Sequence, residues 1–225
     1  MKSKKARLPL VLSGLVTTTA AILISCSGSS QNSSPSNSPT SKNSVQITDA
    51  LIPAGQYGRS KTRRMSPRYI TIHSTQNYSA GADARTHARL LQRGGLTATK
   101  NSLGYLTWHF TVDDHSIYQS LPTNEQGQHA DYEGPGNRKS IGIEMCENAG
   151  NSRSATITRT AKLAAQLMRR HNIPLSRVVP HQHWERIRFA DGKNLGHKNC
   201  PHFLMTNGKP GAKWDAFLQQ VKSYL

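Results

Sequence analysis

The sequence lacks the short motifs that mark the commonest hydrolase and nucleotide-binding sites. It has no H-E-x-x-H metalloprotease helix, no Walker phosphate loop, no G-x-S-x-G nucleophile turn and no paired-cysteine zinc knuckle. These absences exclude the ordinary protease, nucleotide-binding and serine-hydrolase classes. No internal repeat is visible either.

Acidic residues and cysteines are scarce. Twelve Asp and Glu stand against 29 Lys and Arg, which gives a formal net charge of +17. This balance suits an anionic partner such as a wall polymer, lipopolysaccharide, a membrane surface or nucleic acid, although general solubility explains it equally well. Of the three cysteines, Cys146 and Cys200 could form a disulfide, or could be one metal ligand and one buried thiol.

Long apolar runs are missing except at the N-terminus. Residues 1–7 hold four basic side chains and no acid, and residues 8–25 are apolar or small. This pattern predicts a secretion signal over residues 1–25, too short and too weakly apolar for a membrane span. Its loss would lower the net charge from +17 to +13.

The predicted signal ends in Leu23-Ile24-Ser25-Cys26, which resembles the bacterial lipobox. The resemblance implies cleavage before Cys26 and lipidation of Cys26, and the alternative is an ordinary signal peptide with a chance cysteine. We expect an exported, lipid-anchored protein. Ser27 after the anchor favours the outer membrane, facing the periplasm, if the host is Gram-negative.

Composition divides the rest of the chain into a tether and one domain. Residues 26–45, the lipidated cysteine and a Ser-, Asn- and Pro-rich stretch, are predicted to form a flexible tether. Residues 46–225 suit one domain with one core.

Alternating apolar residues predict strands over residues 69–74, 105–113, 116–121, 140–147 and 177–181. Helical spacing predicts helices over residues 81–93 and 154–171 and near the C-terminus. The predicted class is therefore α/β, with helices packed on a central sheet.

Side chains that could bind a metal or take part in catalysis are most concentrated in a loop over residues 195–203. Lys198 and Cys200 stand at i and i+2, so in an extended segment their side chains point the same way. A thiolate at Cys200 would be stabilised by the neighbouring ammonium or by a metal. Zinc suits a mixture of Cys and His, and a catalytic zinc usually has three protein ligands.

Candidate partners for this loop come from strands elsewhere. His73 lies at the end of a predicted strand, where α/β folds place their chemistry. His181 and His183 lie at plausible distances, and alternation lets only one of them point inward. Glu144 lies mid-strand between Ile and Met, where a carboxylate is costly unless paired or working. It could be a general base or one half of a buried salt bridge.

Six segments in order carry a resemblance to a known family. They are residues 69–75, 107–113, 128–130, 140–148, 181–184 and 198–201. Together they resemble the zinc-dependent type-2 N-acetylmuramoyl-L-alanine amidases, relatives of phage lysozyme-amidases and peptidoglycan-recognition proteins. The resemblance covers about residues 52–203. It implies a central mixed β-sheet flanked by helices in a single domain, with a groove for a glycan-peptide strand.

The resemblance also implies a site. It assigns His73, His181 and Cys200 as ligands of one Zn²⁺ ion, Glu144 as the base and Lys198 as the oxyanion stabiliser. It prefers His181 to His183 because the family spacing is His-x-x-Trp. The expected reaction cuts the amide between the lactyl group of N-acetylmuramic acid and L-alanine of the stem peptide.

Two residues are expected to line the groove, and the sequence differs from the family pattern at two places. His129 and Trp108 are expected to line the groove, with a plain core role equally open for Trp108. Some family members carry tyrosine where Trp108 stands, so Glu144 must handle the protons alone. The segment between Trp184 and Lys198 exceeds the usual family spacing. We hypothesise that residues 185–197 form a flap over the groove.

Two other functions compete with the hydrolase. A peptidoglycan-binding module without catalysis would typically lack the metal cysteine, whereas this chain keeps Cys200, Lys198 and Glu144. A nucleic-acid-binding protein would need an exposed basic and aromatic stripe, but the aromatic residues fall mostly on core-facing positions. We therefore expect peptidoglycan as partner, no nucleic acid, and a monomer.

Overall fold

A computed structural model describes residues 43–98 and 103–225 of the chain. The predicted signal segment, Cys26 and all but the last three residues of the predicted tether lie outside this part. Eight strands are described: β1 Thr48–Asp49, β2 Tyr69–Ser74, β3 Phe110–Val112, β4 Ile117–Gln119, β5 Ser140–Met145, β6 Val178–Pro180, β7 Glu185–Ile187 and β8 Asn194–His197. Four α-helices accompany them: α1 Ala84–Gln92, α2 Pro135–Lys139, α3 Arg153–His171 and α4 Ala212–Lys222.

Six strands form one mixed sheet in the order β1-β4-β3-β5-β2-β6. Strands β3, β5, β2 and β6 run parallel, and β4 pairs antiparallel with β3. Strands β7 and β8 form a separate antiparallel hairpin. The mixed sheet with flanking helices confirms the fold class expected from the sequence.

The two faces of the sheet differ in chemistry because side chains alternate along each strand. Ile70 and Ile72 of β2, together with Ile141 and Ile143 of β5, join the main core against α3 and α4. The opposite face of the sheet carries polar side chains, among them Thr71 and His73 of β2, Thr111 of β3 and Glu144 of β5. Burial of the apolar face therefore fixes where the polar groups must point.

Local signals fix the ends of the helices. Asp83 caps α1, because its side chain accepts a hydrogen bond from the Thr86 amide at 2.7 Å. Gly94 follows α1 with φ +67°, and the amide of Gly95 donates to the Leu90 carbonyl at 2.8 Å. Among the described residues, no helix combines the length and apolar character needed to cross a bilayer.

One predicted strand is shorter than expected. The alternation over residues 105–113 predicted a single strand, but only Phe110–Val112 forms β3. Thr107 instead makes an isolated bridge with Gln128. Leu106 is consequently 40% exposed while Trp108 is 5% exposed, although alternation placed them on one face. The bridge to Gln128 diverts the chain before it joins the sheet.

The core of this sheet can be tested at Ile143, which is fully buried in β5. We expect Ile143→Ala to lower the free energy of unfolding by about 2–5 kcal/mol and Ile143→Val by about 0.5–1.5 kcal/mol, through lost burial and the cavity left behind. Ile187→Ala is the matched control, because Ile187 is 41% exposed on β7. Urea denaturation measures both. Equal losses at the two positions would contradict the assignment of the core.

Candidate metal centre and active site

Three predicted ligands from distant parts of the chain converge. His73 lies near the carboxyl end of β2, His181 follows β6 in a single helical turn, and Cys200 lies in the loop after β8. All three are buried, and one ligand atom from each lies within 4.8 Å of the other two. The Nδ1 atoms of His73 and His181 are 2.9 Å apart. The geometry can hold one metal ion.

The loop that carries Cys200 is tied to the sheet. The Ser74 amide donates to Cys200 Sγ at 3.3 Å, and the Gln182 amide donates to the Cys200 carbonyl at 3.0 Å. Both thiols in the described residues, Cys146 and Cys200, are free, so the alternative disulfide between them does not form. Burial raises the pKa of the Cys200 thiol to about 12, with Glu144 adding to this effect and Lys198 opposing it. A thiolate there requires a compensating cation.

The two imidazoles are suited to act as neutral ligands. Burial lowers the pKa of His73 well below its usual value and the pKa of His181 to about 3. His181 Nε2 donates to the Ala130 carbonyl at 2.8 Å, which leaves the Nδ1 lone pair available. Two neutral imidazole nitrogens and one sulfur form a donor set that zinc prefers, with room for a fourth ligand.

Glu144 lies beside these predicted ligands. Its Oε1 is 3.9 Å from His73 Nδ1, and its Oε2 is buried without a hydrogen-bond partner in the described residues. Within residues 43–98 and 103–225, no ion pair joins it to an arginine. The His73 imidazole could pair with it only when protonated, and burial lowers the pKa of His73 well below its usual value. Burial raises the pKa of Glu144 to about 7, with Lys198 opposing the rise and Glu147 adding to it. Such a carboxyl exchanges protons at neutral pH.

A cavity of about 210 Å³ opens in front of these groups. Glu144, His181 and Lys198 border it, as do Trp108 and His129, the two residues expected in a groove. Trp108 also belongs to a small buried cluster, and its indole N–H donates to Thr111 Oγ1 at 2.7 Å. It therefore packs in the core and borders the cavity at once.

The cavity also has walls that sequence reasoning missed. Tyr132 and Arg186 both border it. Tyr132 has φ +64°, a left-handed conformation that the neighbouring sequence does not predict. Arg186 lies in the β7–β8 hairpin, where its guanidinium donates hydrogen bonds to the carbonyls of Leu195 and Gly196. Residues 185–197 thus form a hairpin beside the cavity, and their covering the groove stays a prediction.

The chain and its fold are similar to those of known proteins. The N-acetylmuramoyl-L-alanine amidase family profile matches residues 63–203. The chain is 42% identical to the amidase XlyA of Bacillus subtilis over 174 residues, which is 77% of this chain and 50% of XlyA. It is also 42% identical to CwlH of the same organism over 181 residues, which is 80% of this chain and 62% of CwlH. The solved catalytic domain of XlyA aligns with a TM-score of 0.64, covering 79% of this chain and 99% of that domain.

The chain therefore spans between half and two thirds of the length of these two relatives. The part it shares with XlyA includes the solved catalytic domain almost completely.

The raised pKa of Glu144 predicts a pH-dependent cost to stability in the metal-free protein. Its carboxyl titrates near 4.5 when unfolded and near 7 when folded, so the folded state binds more protons in this window and stability falls as pH rises through it. We expect Glu144→Gln to become more stable relative to the wild type between these pH values, by up to about 3 kcal/mol. Urea denaturation in chelator measures this difference.

Asp215→Asn is the control for this experiment, because Asp215 is exposed on α4. A constant difference between Glu144→Gln and the wild type across the pH window would show that the Glu144 pKa is not raised.

Proposed function

The chain belongs to the N-acetylmuramoyl-L-alanine amidase family, and from this premise we propose that it is a zinc-dependent peptidoglycan hydrolase. It cleaves the amide between the lactyl group of N-acetylmuramic acid and L-alanine of the stem peptide, in remodelling or recycling of the cell wall. The observation that carries the proposal is the convergence of His73, His181 and Cys200 beside Glu144 and Lys198.

His73, His181 and Cys200 would hold the zinc ion, which when bound supplies the Lewis acidity that activates water and polarises the amide carbonyl. Because all three ligands come from one chain, a monomer is sufficient for the site.

Glu144 handles the protons of the reaction. It accepts a proton from the attacking water and passes it to the leaving amine of L-alanine. Its position supports both steps, because Oε1 lies 3.9 Å from His73 Nδ1 and Oε2 has no hydrogen-bond partner among the described residues. Trp108 carries an indole where some family members have a phenol, so we assign the proton transfer to Glu144.

Lys198 stabilises the negative charge that develops on the carbonyl oxygen. Its ammonium borders the same cavity as Glu144 and opposes the rise in the pKa of that carboxyl, so its field reaches the reacting groups. Removing one such donor typically costs about 10²–10³ in rate.

The pairing of two basic residues with acids supports our expectation that nucleic acid is not the partner. Residues 59–68 hold five Lys and Arg. Arg59 of this run makes a two-pronged contact with Glu125 at 2.7 and 2.8 Å, and Arg63 lies 4.0 Å from Glu133. These guanidinium groups are engaged within the fold, and no stripe of free basic and aromatic side chains is needed to explain them.

Digestion of purified muropeptides tests the proposed reaction. We expect the purified protein to release free stem peptide with an L-alanine N-terminus, detected by mass spectrometry. Chelation should abolish release and added Zn²⁺ should restore it. Glu144→Ala should lower the rate by about 10²–10⁴ through loss of the general base.

Asp215→Ala, at an exposed acidic residue of α4, is the control and should retain full activity. Muropeptide binding without release would favour the binding module. Release that persists in chelator would contradict a metal-dependent reaction.

We also propose that the protein is exported and anchored to a membrane by a lipid on Cys26. The basic, then apolar, residues before Cys26 support this proposal. Outer-membrane placement stays a prediction, and the Bacillus subtilis origin of XlyA and CwlH gives it no support.

Substitution of Cys26 tests the anchor. We expect labelled fatty acid to be incorporated into the wild type, and Cys26→Ser to lose the label and move from the membrane fraction to the soluble exported fraction. Cys146→Ser is the control, because that thiol is buried in the folded domain. Membrane association that survives Cys26→Ser would contradict lipidation at this residue.

A further inference from the structure

One short loop serves both imidazoles of the metal centre. His73 Nε2 lies 3.0 Å from His129 Nδ1, and His181 Nε2 lies 2.8 Å from the carbonyl of Ala130. His129 and Ala130 are consecutive residues. The ring nitrogens that face away from the ligand cluster are thus both met by the same two residues.

The two contacts fix where the ring protons must lie when a cation is bound. A carbonyl only accepts, so His181 carries its proton on Nε2 and keeps a lone pair on Nδ1. His73 also offers Nδ1 to the cluster, where it faces His181 Nδ1 at 2.9 Å. Its proton must then lie on Nε2, and His129 Nδ1 must accept it.

The imidazole of His129 packs closely against the backbone of two glycines. A Cβ atom at Gly142 would approach the His129 ring to 2.9 Å, and one at Gly127 would approach it to 2.6 Å. The ring stands edge-on to His73, with centroids 5.0 Å apart and planes at 87°. Any side chain at either glycine would displace the ring, so these positions keep Nδ1 directed at His73.

The loop itself is fastened by a buried amide. Asn137 Oδ1 accepts from the amides of His129 and Ala130 at 2.9 and 2.8 Å, and its Nδ2 donates to Gln128 Oε1 at 2.6 Å and to the Tyr132 carbonyl. Asn137 is 1% exposed. One side chain thus fixes the backbone on both sides of the segment that contacts the two imidazoles.

We propose that His129 is a positioning residue that fixes the tautomer and ring orientation of His73, and that Asn137 holds the segment through which both metal-binding imidazoles are oriented. This inference rests on the proposed metal centre. It gives His129 a role beyond bordering the groove, because its Nδ1 contacts the ligand side chain. Partners of this kind typically contribute 10–100-fold to metal affinity.

Zinc affinity measured by competition with a chromophoric chelator tests the proposal on the full chain. We expect His129→Phe, which keeps a flat ring but loses the acceptor, to bind Zn²⁺ about 10–100-fold more weakly. His129→Asn keeps an acceptor oxygen near the position of Nδ1 and should restore most of the affinity. Asn137→Ala should also weaken binding, while Tyr78→Ala, at a side chain 57% exposed, should not.

The ring tautomers give a second measurement that needs no variant. In the zinc-loaded wild type, long-range ¹H–¹⁵N spectra of labelled histidines should place the His73 proton on Nε2 and leave His129 Nδ1 unprotonated. A purely structural role for His129 predicts no such pairing. A zinc-loaded chain with protonated His129 Nδ1 would overturn the proposal, even if His129→Phe failed to fold.

The remaining outcomes separate this inference from the proposed function. If the wild type binds Zn²⁺ and folded His129→Phe binds it equally well, the positioning role is wrong while the metal centre stands. Equal losses in His129→Asn and His129→Phe would show that the acceptor is not what matters. A wild type that binds no Zn²⁺ would end both proposals.

Discussion

The parallel pairing of β2 between β5 and β6 is the constraint on which the site depends. Its register sets His73 opposite Glu144 and Ile72 opposite Pro180, so His181 emerges beside them at the same edge. Ligands bind at the carboxyl ends of parallel strands because adjacent strands end together there. A shift of one residue in the register of β2 would turn its isoleucines to the polar face and separate the side chains of the candidate site.

The free energy gained by burying the apolar face of the sheet compensates for the cost of burying polar side chains on the other face. His73, His181 and Cys200 are buried, the Glu144 side chain is only 14% exposed, and desolvation shifts the pKa of each group towards its neutral form. Removing such polar groups from water costs free energy. The core against α3 and α4 offsets that cost and holds these side chains together.

Sequence reasoning succeeded where a property belongs to a single segment. The period of two in residues 140–147 and the helical spacing in residues 154–171 gave β5 and α3 nearly to the residue, because one buried face imposes each period. It failed over residues 105–113, where Thr107 bonds to Gln128 in a distant loop. The positive φ of Tyr132 and the position of Arg186 at the cavity were equally invisible, because both depend on how separate loops pack.

The same division holds for the site. By itself the sequence determined which side chains carry chemistry: it supplied a Lys198–Cys200 pair, strand-end histidines and a carboxylate in an apolar strand, and their order resembled one family. Only the tertiary structure showed that Cys200 and Cys146 form no disulfide, and that no arginine among the described residues pairs with Glu144. Both findings depend on which atoms lie within a few ångströms of each other. Contacts between residues far apart in the chain, such as His73 and His129, are set by strand register and loop packing, which no local pattern encodes.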